Sequence, residues 1–295
     1  MSDQRPAFPV TEKAYAKLNI SLDVTARRSD GYHDMLMIMQ TVSLCDELTI
    51  SPERDGLVHA VTSLPYVPGD RRNLAVRAAL KFLELVGDGE RGLKISIRKN
   101  IPVGAGMAGG SADAAAMLRA LDRAYGWPLS AEELCAAGEG VGSDVAFCLR
   151  GGTALASGRG EILKALPPLP PCCFVIVKPD FSISTPELFG KLDSAKLCCH
   201  PDTDGLLAAL EKGDLDGICR RMYNVFEDVP DRRMRTIRAA KGALLDCGAL
   251  GALMTGTGSA VFGVFRGPAE AEKACETLKK EYRFCCTAEA VGAQL

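Results

Sequence analysis

The chain has no long apolar run, no excess of charge of either sign, few aromatics and no Cys-x-x-Cys pair. Each absence removes a class of function. Without an uninterrupted apolar stretch of about 18 residues no membrane helix is expected, and the polar segment Met1 to Pro9 gives no sign of a secretory leader. A formal net charge of -2 over 295 residues leaves no basic footprint for nucleic acid. Twelve cysteines are present, but they are scattered from Cys45 to Cys286 without the spacing of a zinc site. Reduced thiols in a cytoplasmic protein are expected. The doublets Cys172-Cys173, Cys198-Cys199 and Cys285-Cys286 point adjacent side chains apart and read as packing. Cys198-Cys199-His200 would be the metal candidate, and it lacks a fourth ligand. With only three histidines in the chain, His33 is conspicuous. What remains is small-molecule chemistry in a chain long enough for two domains of ordinary size.

Apolar and polar residues alternate through Leu48-Thr49-Ile50-Ser51 and Leu93 to Arg98, which predicts strands, with Ala14 to Val24 in the same sheet. Asn73 to Val86 carries apolar residues at helical spacing, and Ser130 with Glu133 forms a capping box opening another helix. Four prolines in Leu166 to Pro171 forbid regular structure. A domain boundary is placed there, giving domains 1–166 and 167–295. Beyond it Cys173 to Lys178 and Ala260 to Phe265 read as strands, and Asp204 to Lys212, Arg232 to Cys247 and Pro268 to Tyr282 as helices. Strands and helices do not alternate strictly enough for a doubly wound sheet, so the expected class is α+β with segregated layers.

The run Pro102-Val103-Gly104-Ala105-Gly106-Met107-Ala108-Gly109-Gly110-Ser111-Ala112-Asp113 joins a glycine loop directly to an alanine-rich helix expected over Ala112 to Asp122, with Ser111 as its cap. Glycines let backbone N–H groups approach an anion, and the helix start adds partial positive charge. The letters match G-x-G-x-x-G, but no strand ending in an acidic residue follows at the distance a dinucleotide fold requires. No Gly-Lys-Ser/Thr follows either, which excludes a Walker A loop. A second glycine stretch, Thr255-Gly256-Thr257-Gly258-Ser259, lies in the other half of the chain, so a phosphate site closed from two sides of an interdomain cleft is expected.

Ala14-Tyr15-Ala16-Lys17-Leu18-Asn19, the Pro102 to Asp113 loop and Thr255 to Ser259, in that order, resemble the three motifs of the GHMP kinase superfamily. Lys17-Leu18-Asn19-Ile20, Arg28-Ser29-Asp30-Gly31-Tyr32-His33 and Gly142-Ser143-Asp144-Val145-Ala146-Phe147 with Gly151-Gly152-Thr153-Ala154 resemble the branch acting on a methylerythritol unit that carries a cytidine diphosphate head group. The loop departs from that pattern at Ala108, which adds a methyl, and at Ala112, which removes a hydroxyl. The alternatives are another GHMP kinase of mevalonate or homoserine type, or a non-catalytic nucleotide-binding protein.

The resemblance implies ATP and Mg²⁺ as cofactors and phosphorylation of the 2-hydroxyl of the methylerythritol unit. It implies Asp144 as the base accepting the hydroxyl proton and Lys17 beside it, keeping it ionised. Lys99, Pro102, Val103, Gly104, Ala105, Gly106, Met107, Ala108, Gly109, Gly110, Ser111 and Ala112 are the expected nucleotide contacts. Tyr32 and His33 would take the cytosine, with Phe189 against the base. Thr185, Gly256 and Thr257 would line the acceptor pocket, and Asn19 would touch the acceptor alcohol. Oligomeric state is not legible.

Overall fold

The computed structural model describes residues 6–195, 197 and 199–295. The chain opens on a long antiparallel hairpin of β1 (Val10–Arg27) and β2 (His33–Glu53), paired from Val10 opposite Ile50 to Arg27 opposite His33. Then come β3 (Val58–Thr62), α1 (Leu74–Leu85), β4 (Gly92–Arg98), α2 (Gly109–Ala124), α3 (Ala131–Glu139), α4 (Val145–Arg150), β5 (Thr153–Ser157) and β6 (Ile162–Ala165). After the proline segment follow β7 (Cys173–Lys178), α5 (Thr185–Ser194), α6 (Thr203–Glu211), α7 (Leu215–Arg221) and β8 (Tyr223–Asn224). A 3-10 turn at Val225–Asp228, α8 (Met234–Asp246), β9 (Gly251–Met254), β10 (Val261–Phe265), α9 (Pro268–Leu278) and β11 (Phe284–Glu289) complete the chain.

The strands form two sheets. One has the order β3-β4-β2-β1-β8, with β5 on β2 and β6 on β5; the other is β11-β7-β10-β9, antiparallel throughout. Helices α1 and α2 pack with the first sheet and α8 and α9 with the second, the segregated α+β arrangement expected. Two segments from beyond the prolines return to the first sheet. β8 pairs parallel to Ser21 and Leu22, and the tail forms bridges from Ala290 to Val42 and from Ala293 to Gly151.

β1 is covered on both faces. Ala14, Ala16, Leu18, Ile20 and Leu22 enter the apolar core, and the alternate row of Lys17, Asn19, Ser21 and Asp23 is buried as well. The second half of the chain covers that polar row, as the Asn19 N–H donation to Thr255 Oγ1 at 3.0 Å shows. This is how a strand lysine becomes a cleft residue.

Half of helix α2 is alanine or leucine, and the small alanine side chains let it lie close against β1 and α1. It begins at Gly109, ahead of the expected Ala112, and its cap is Ala108 in the left-handed region at φ 56° with no side-chain bond. Ser111 is therefore a first-turn residue and not the cap. The left-handed residue turns the chain straight into the helix. The N–H groups of Gly109, Gly110 and Ser111 precede the first helical bond, from Ala112 N–H to Ala108 O, and so have no carbonyl partner within the helix.

Candidate active site

A cleft of about 950 Å³ runs between the halves of the chain. The loop from Ile101 to Ser111 forms one side, Lys17 and Asp144 lie along it, and Tyr32, His33, Thr185, Phe189, Asp193, Gly256 and Thr257 line the rest.

The two glycine stretches touch back to back. A Cβ on Gly106, which sits at φ +76°, would lie 2.1 Å from Thr255 O. Ala260 N–H donates to Ala105 O at 3.1 Å, and Thr255 Oγ1 donates to Gly106 O at 3.3 Å. Thr255 is fully buried, its hydroxyl turned toward Asn19 and Gly106, while Gly256 and Thr257 reach the cleft. The two stretches thus share a backbone seam, and Gly256, Thr257 and Gly258 line the same cleft as the Pro102 to Ser111 loop.

Lys17 and Asp144 both line the cleft, but no ion pair joins them. Lys17 Nζ donates instead to Asn19 Oδ1 at 2.5 Å. Asn19, fully buried and absent from the cleft wall, acts as the holder of that ammonium and not as a surface contact. Asp144 sits at the N-terminus of α4, and its side chain makes no cap bond. The buried Cys148 thiol lies near both charges. Burial pushes it up to about 12, with the Asp144 charge adding to the rise and Lys17 opposing it.

At the other end, the His33 ring stacks on Phe189 at 4.7 Å and 28°, and Phe189 meets Phe226 edge-on at 4.9 Å. His33 Nε2 and Asp193 Oδ1 are 2.6 Å apart. Tyr32 stays 56% exposed, with the Arg159 guanidinium 5.2 Å from its ring centre. Thr185 and Thr257 share a hydroxyl hydrogen bond of 2.9 Å across the cleft wall.

Residues 73–152 match the GHMP kinases N terminal domain family, and residues 206–283 match the GHMP kinases C terminal family. The chain belongs to the GHMP kinase family. It is an ATP-dependent small-molecule kinase. A Clostridium botulinum protein named 4-diphosphocytidyl-2-C-methyl-D-erythritol kinase is 43% identical over 92% of this kinase and 96% of its own length. A protein of the same name from Caldicellulosiruptor saccharolyticus is 43% identical over 90% and 92%. A crystal structure titled 4-(cytidine 5'-diphospho)-2C-methyl-D-erythritol kinase superposes with a TM-score of 0.79 at 33% identity, covering 96% of this kinase and 99% of that chain. A mevalonate kinase of L. major, solved with R-mevalonate, covers 99% of the chain and 98% of its own at a TM-score of 0.72 and 20% identity, which shows the fold alone.

Lys99 lines the cleft, but its ammonium is not free for a phosphate. Its ammonium is buried between Asp46 Oδ2 and Asp113 Oδ2, the latter at 2.6 Å. Burial opposes its charge, but the two carboxylates outweigh that and raise it above the ordinary lysine value. Asp46 and Asp113 were not among the expected site residues. A signal for Asp113 exists: it shares a helix stripe with Ala116, Met117 and Ala120, where an unpaired carboxylate has no place. Of the metal candidate, Cys198 lies outside the described residues, and His200 Nδ1 pairs with Asp23 at 2.8 Å. No cluster of three or more metal-ligating side chains occurs among the described residues, and no described helix is long and apolar enough to cross a membrane.

Proposed function

We propose that the kinase transfers the γ-phosphoryl group of ATP to the 2-hydroxyl of 4-diphosphocytidyl-2-C-methyl-D-erythritol. The observation that carries this is one cleft holding a loop whose Gly109, Gly110 and Ser111 N–H groups have no carbonyl partner within the helix, a carboxylate without a cap bond, and an aromatic cluster. The names of the 43% identical relatives support the same acceptor.

Phosphoryl transfer asks the protein for position and charge more than for covalent help. The Pro102 to Ala112 loop holds the phosphates through backbone N–H groups, and the helix start adds its partial positive charge. The acceptor oxygen bonds to the γ-phosphorus as the bond to the bridging oxygen breaks, ADP leaves, and the hydroxyl proton passes to Asp144. Proton transfer can lag behind a loose transition state, so a carboxylate can serve as the acceptor. Lys17, aimed by Asn19, balances charge on the moving phosphoryl group. Tyr32 and Phe189 stack with the cytosine, His33 bonds its edge, and Thr185, Gly256 and Thr257 shape the wall around the polyol. Arg159 adds a positive charge for the acceptor's diphosphate.

Mg²⁺ would enter with the nucleotide, held mainly by phosphate oxygens and water, since the cleft offers no cage of carboxylates. Of the carboxylates lining the cleft, Asp113 is bound to Lys99 and Asp193 to His33, so Asp144 is the one able to add a ligand. When bound, the ion would supply charge neutralisation to the phosphates. The described cysteines are all free thiols, which suits a reducing cytoplasm. We take 1–166 and 167–295 as the two domains.

The test is ADP release from ATP and Mg²⁺ with 4-diphosphocytidyl-2-C-methyl-D-erythritol, mevalonate or homoserine as acceptor. Turnover is expected with the first. Turnover confined to mevalonate or homoserine would sink the acceptor assignment.

A further inference from the structure

We propose that the buried cluster of Lys99, Asp46 and Asp113 beneath the phosphate loop holds a proton on Asp113, and that nucleotide binding is coupled to that proton. Asp113 is then a positioning residue for the loop, not a catalytic one. The inference rests on reading the loop as the nucleotide site.

Counting charges carries the argument. One ammonium lies between two carboxylates, and the side chains of Lys99, Asp46 and Asp113 are only 4%, 0% and 5% exposed. Fully ionised, the cluster would carry a net negative charge on side chains almost wholly withdrawn from water at the floor of the cleft, which is costly without further partners. Asp46 has those partners. Its Oδ1 accepts from the N–H groups of Asn100 at 2.5 Å and Ile101 at 2.8 Å, and its Oδ2 from Lys99. Asp113 accepts from Lys99, lies within hydrogen-bonding reach of the Asp46 carboxylate, and its Oδ1 is buried with no partner among the described residues. The proton therefore belongs on Asp113.

The position matters as much as the count. Lys99 Nζ lies 3.5 Å from where a Cβ on Gly109 would be, directly under the loop's N–H groups. A net negative charge there would oppose the polyphosphate the loop is built to hold. Burial pushes the Asp113 carboxyl up to about 8, with the Asp46 charge adding to this and Lys99 offsetting it in part. The Cys148 thiol of α4 lies within electrostatic range of Asp113, Asp144, Lys17 and Arg119, and Leu74 of α1 packs at Gly110 in this turn.

Polyphosphate above the cluster stabilises the protonated form further. At a pH near or above the free-state titration, binding draws a proton in; well below it Asp113 is already protonated and binding takes up none. Affinity then falls as pH rises, by at most about tenfold per pH unit. Asp113→Asn fixes the neutral form. Asp46→Asn leaves a balanced Lys99–Asp113 pair, so Asp113 stays ionised with or without nucleotide.

The experiment is calorimetric titration of the full chain with ADP between about pH 7 and 9 in two buffers of different ionisation enthalpy. Proton uptake is expected in the unaltered kinase toward the alkaline end and in neither variant, with ADP affinity flat against pH in Asp113→Asn. ADP binding without proton uptake in the unaltered kinase overturns the inference alone, as does uptake of equal size in Asp113→Asn. Failure of ADP to bind at all overturns both the inference and the nucleotide assignment beneath it.

Discussion

Replacing Gly106 by Ala tests the seam between the two glycine stretches. The added methyl meets Thr255 O at 2.1 Å, where ordinary contact starts near 3.4 Å, so the stretches must part by more than an ångström. Holding alanine at φ +76° adds roughly 1–2 kcal/mol of backbone strain. Parting the seam also strips the bonds from Ala260 N–H to Ala105 O and from Thr255 Oγ1 to Gly106 O, each worth about 0.5–1.5 kcal/mol net. The sum is about 2–5 kcal/mol of lost stability. Moving the phosphate loop by that distance should lower turnover on the order of 10²-fold. Urea unfolding reads the first quantity and steady-state ADP release the second. A Gly106→Ala protein within about 0.5 kcal/mol of the parent and unimpaired in turnover would refute the seam. Ala108→Gly is the control, because Ala108 is already left-handed at φ 56° and glycine relieves that strain.

Asp144→Asn should lower kcat by about 10²–10⁴-fold with ATP binding kept, since it removes the proton acceptor and leaves the loop intact; kcat near the parent value would end its role as base. Tyr32→Ala should raise KM for the cytidylyl acceptor by roughly ten- to hundredfold and leave KM for ATP unchanged, a split read by varying each substrate in turn. Cys148, its thiol raised by burial, should resist iodoacetamide at mildly alkaline pH until the chain is unfolded, which mass spectrometry of the alkylated peptide reports. Asp113 is raised in the folded state and ordinary in the unfolded one. Its contribution is therefore full below the ordinary carboxylate range and lost as pH rises toward about 8. Urea midpoints should show that decline in the parent and not in Asp113→Asn.

Elements with a strong local signal were legible in the chain. Cys173 to Lys178 is an unbroken apolar strand, and Ser130 with Glu133 announces α3 through reciprocal cap bonds that the structure contains. Helix α4 was not legible, because Val145–Arg150 is too short to show a period. Helix α5 hides behind Pro186 and Gly190, although it carries Phe189 and Asp193. The cleft residues Lys17, Asp144, Tyr32 and His33 stood out by motif alone. What each does to its neighbours did not: Asn19 intercepting Lys17 and Asp46 meeting Asp113 through Lys99 depend on how distant strands register. Asp46 in particular sits in Cys45-Asp46-Glu47, which reads as the polar end of a strand.

The backbone seam at Gly106 and Gly256 also fixes how the kinase can breathe. A contact made of main-chain atoms at close range has no rotamers with which to yield, so it resists displacement of one stretch past the other. The end of the cleft lined by Tyr32, His33 and Phe189 meets across side chains, and side chains swing aside. The nucleotide end of the cleft is therefore expected to hold its shape more firmly than the aromatic end.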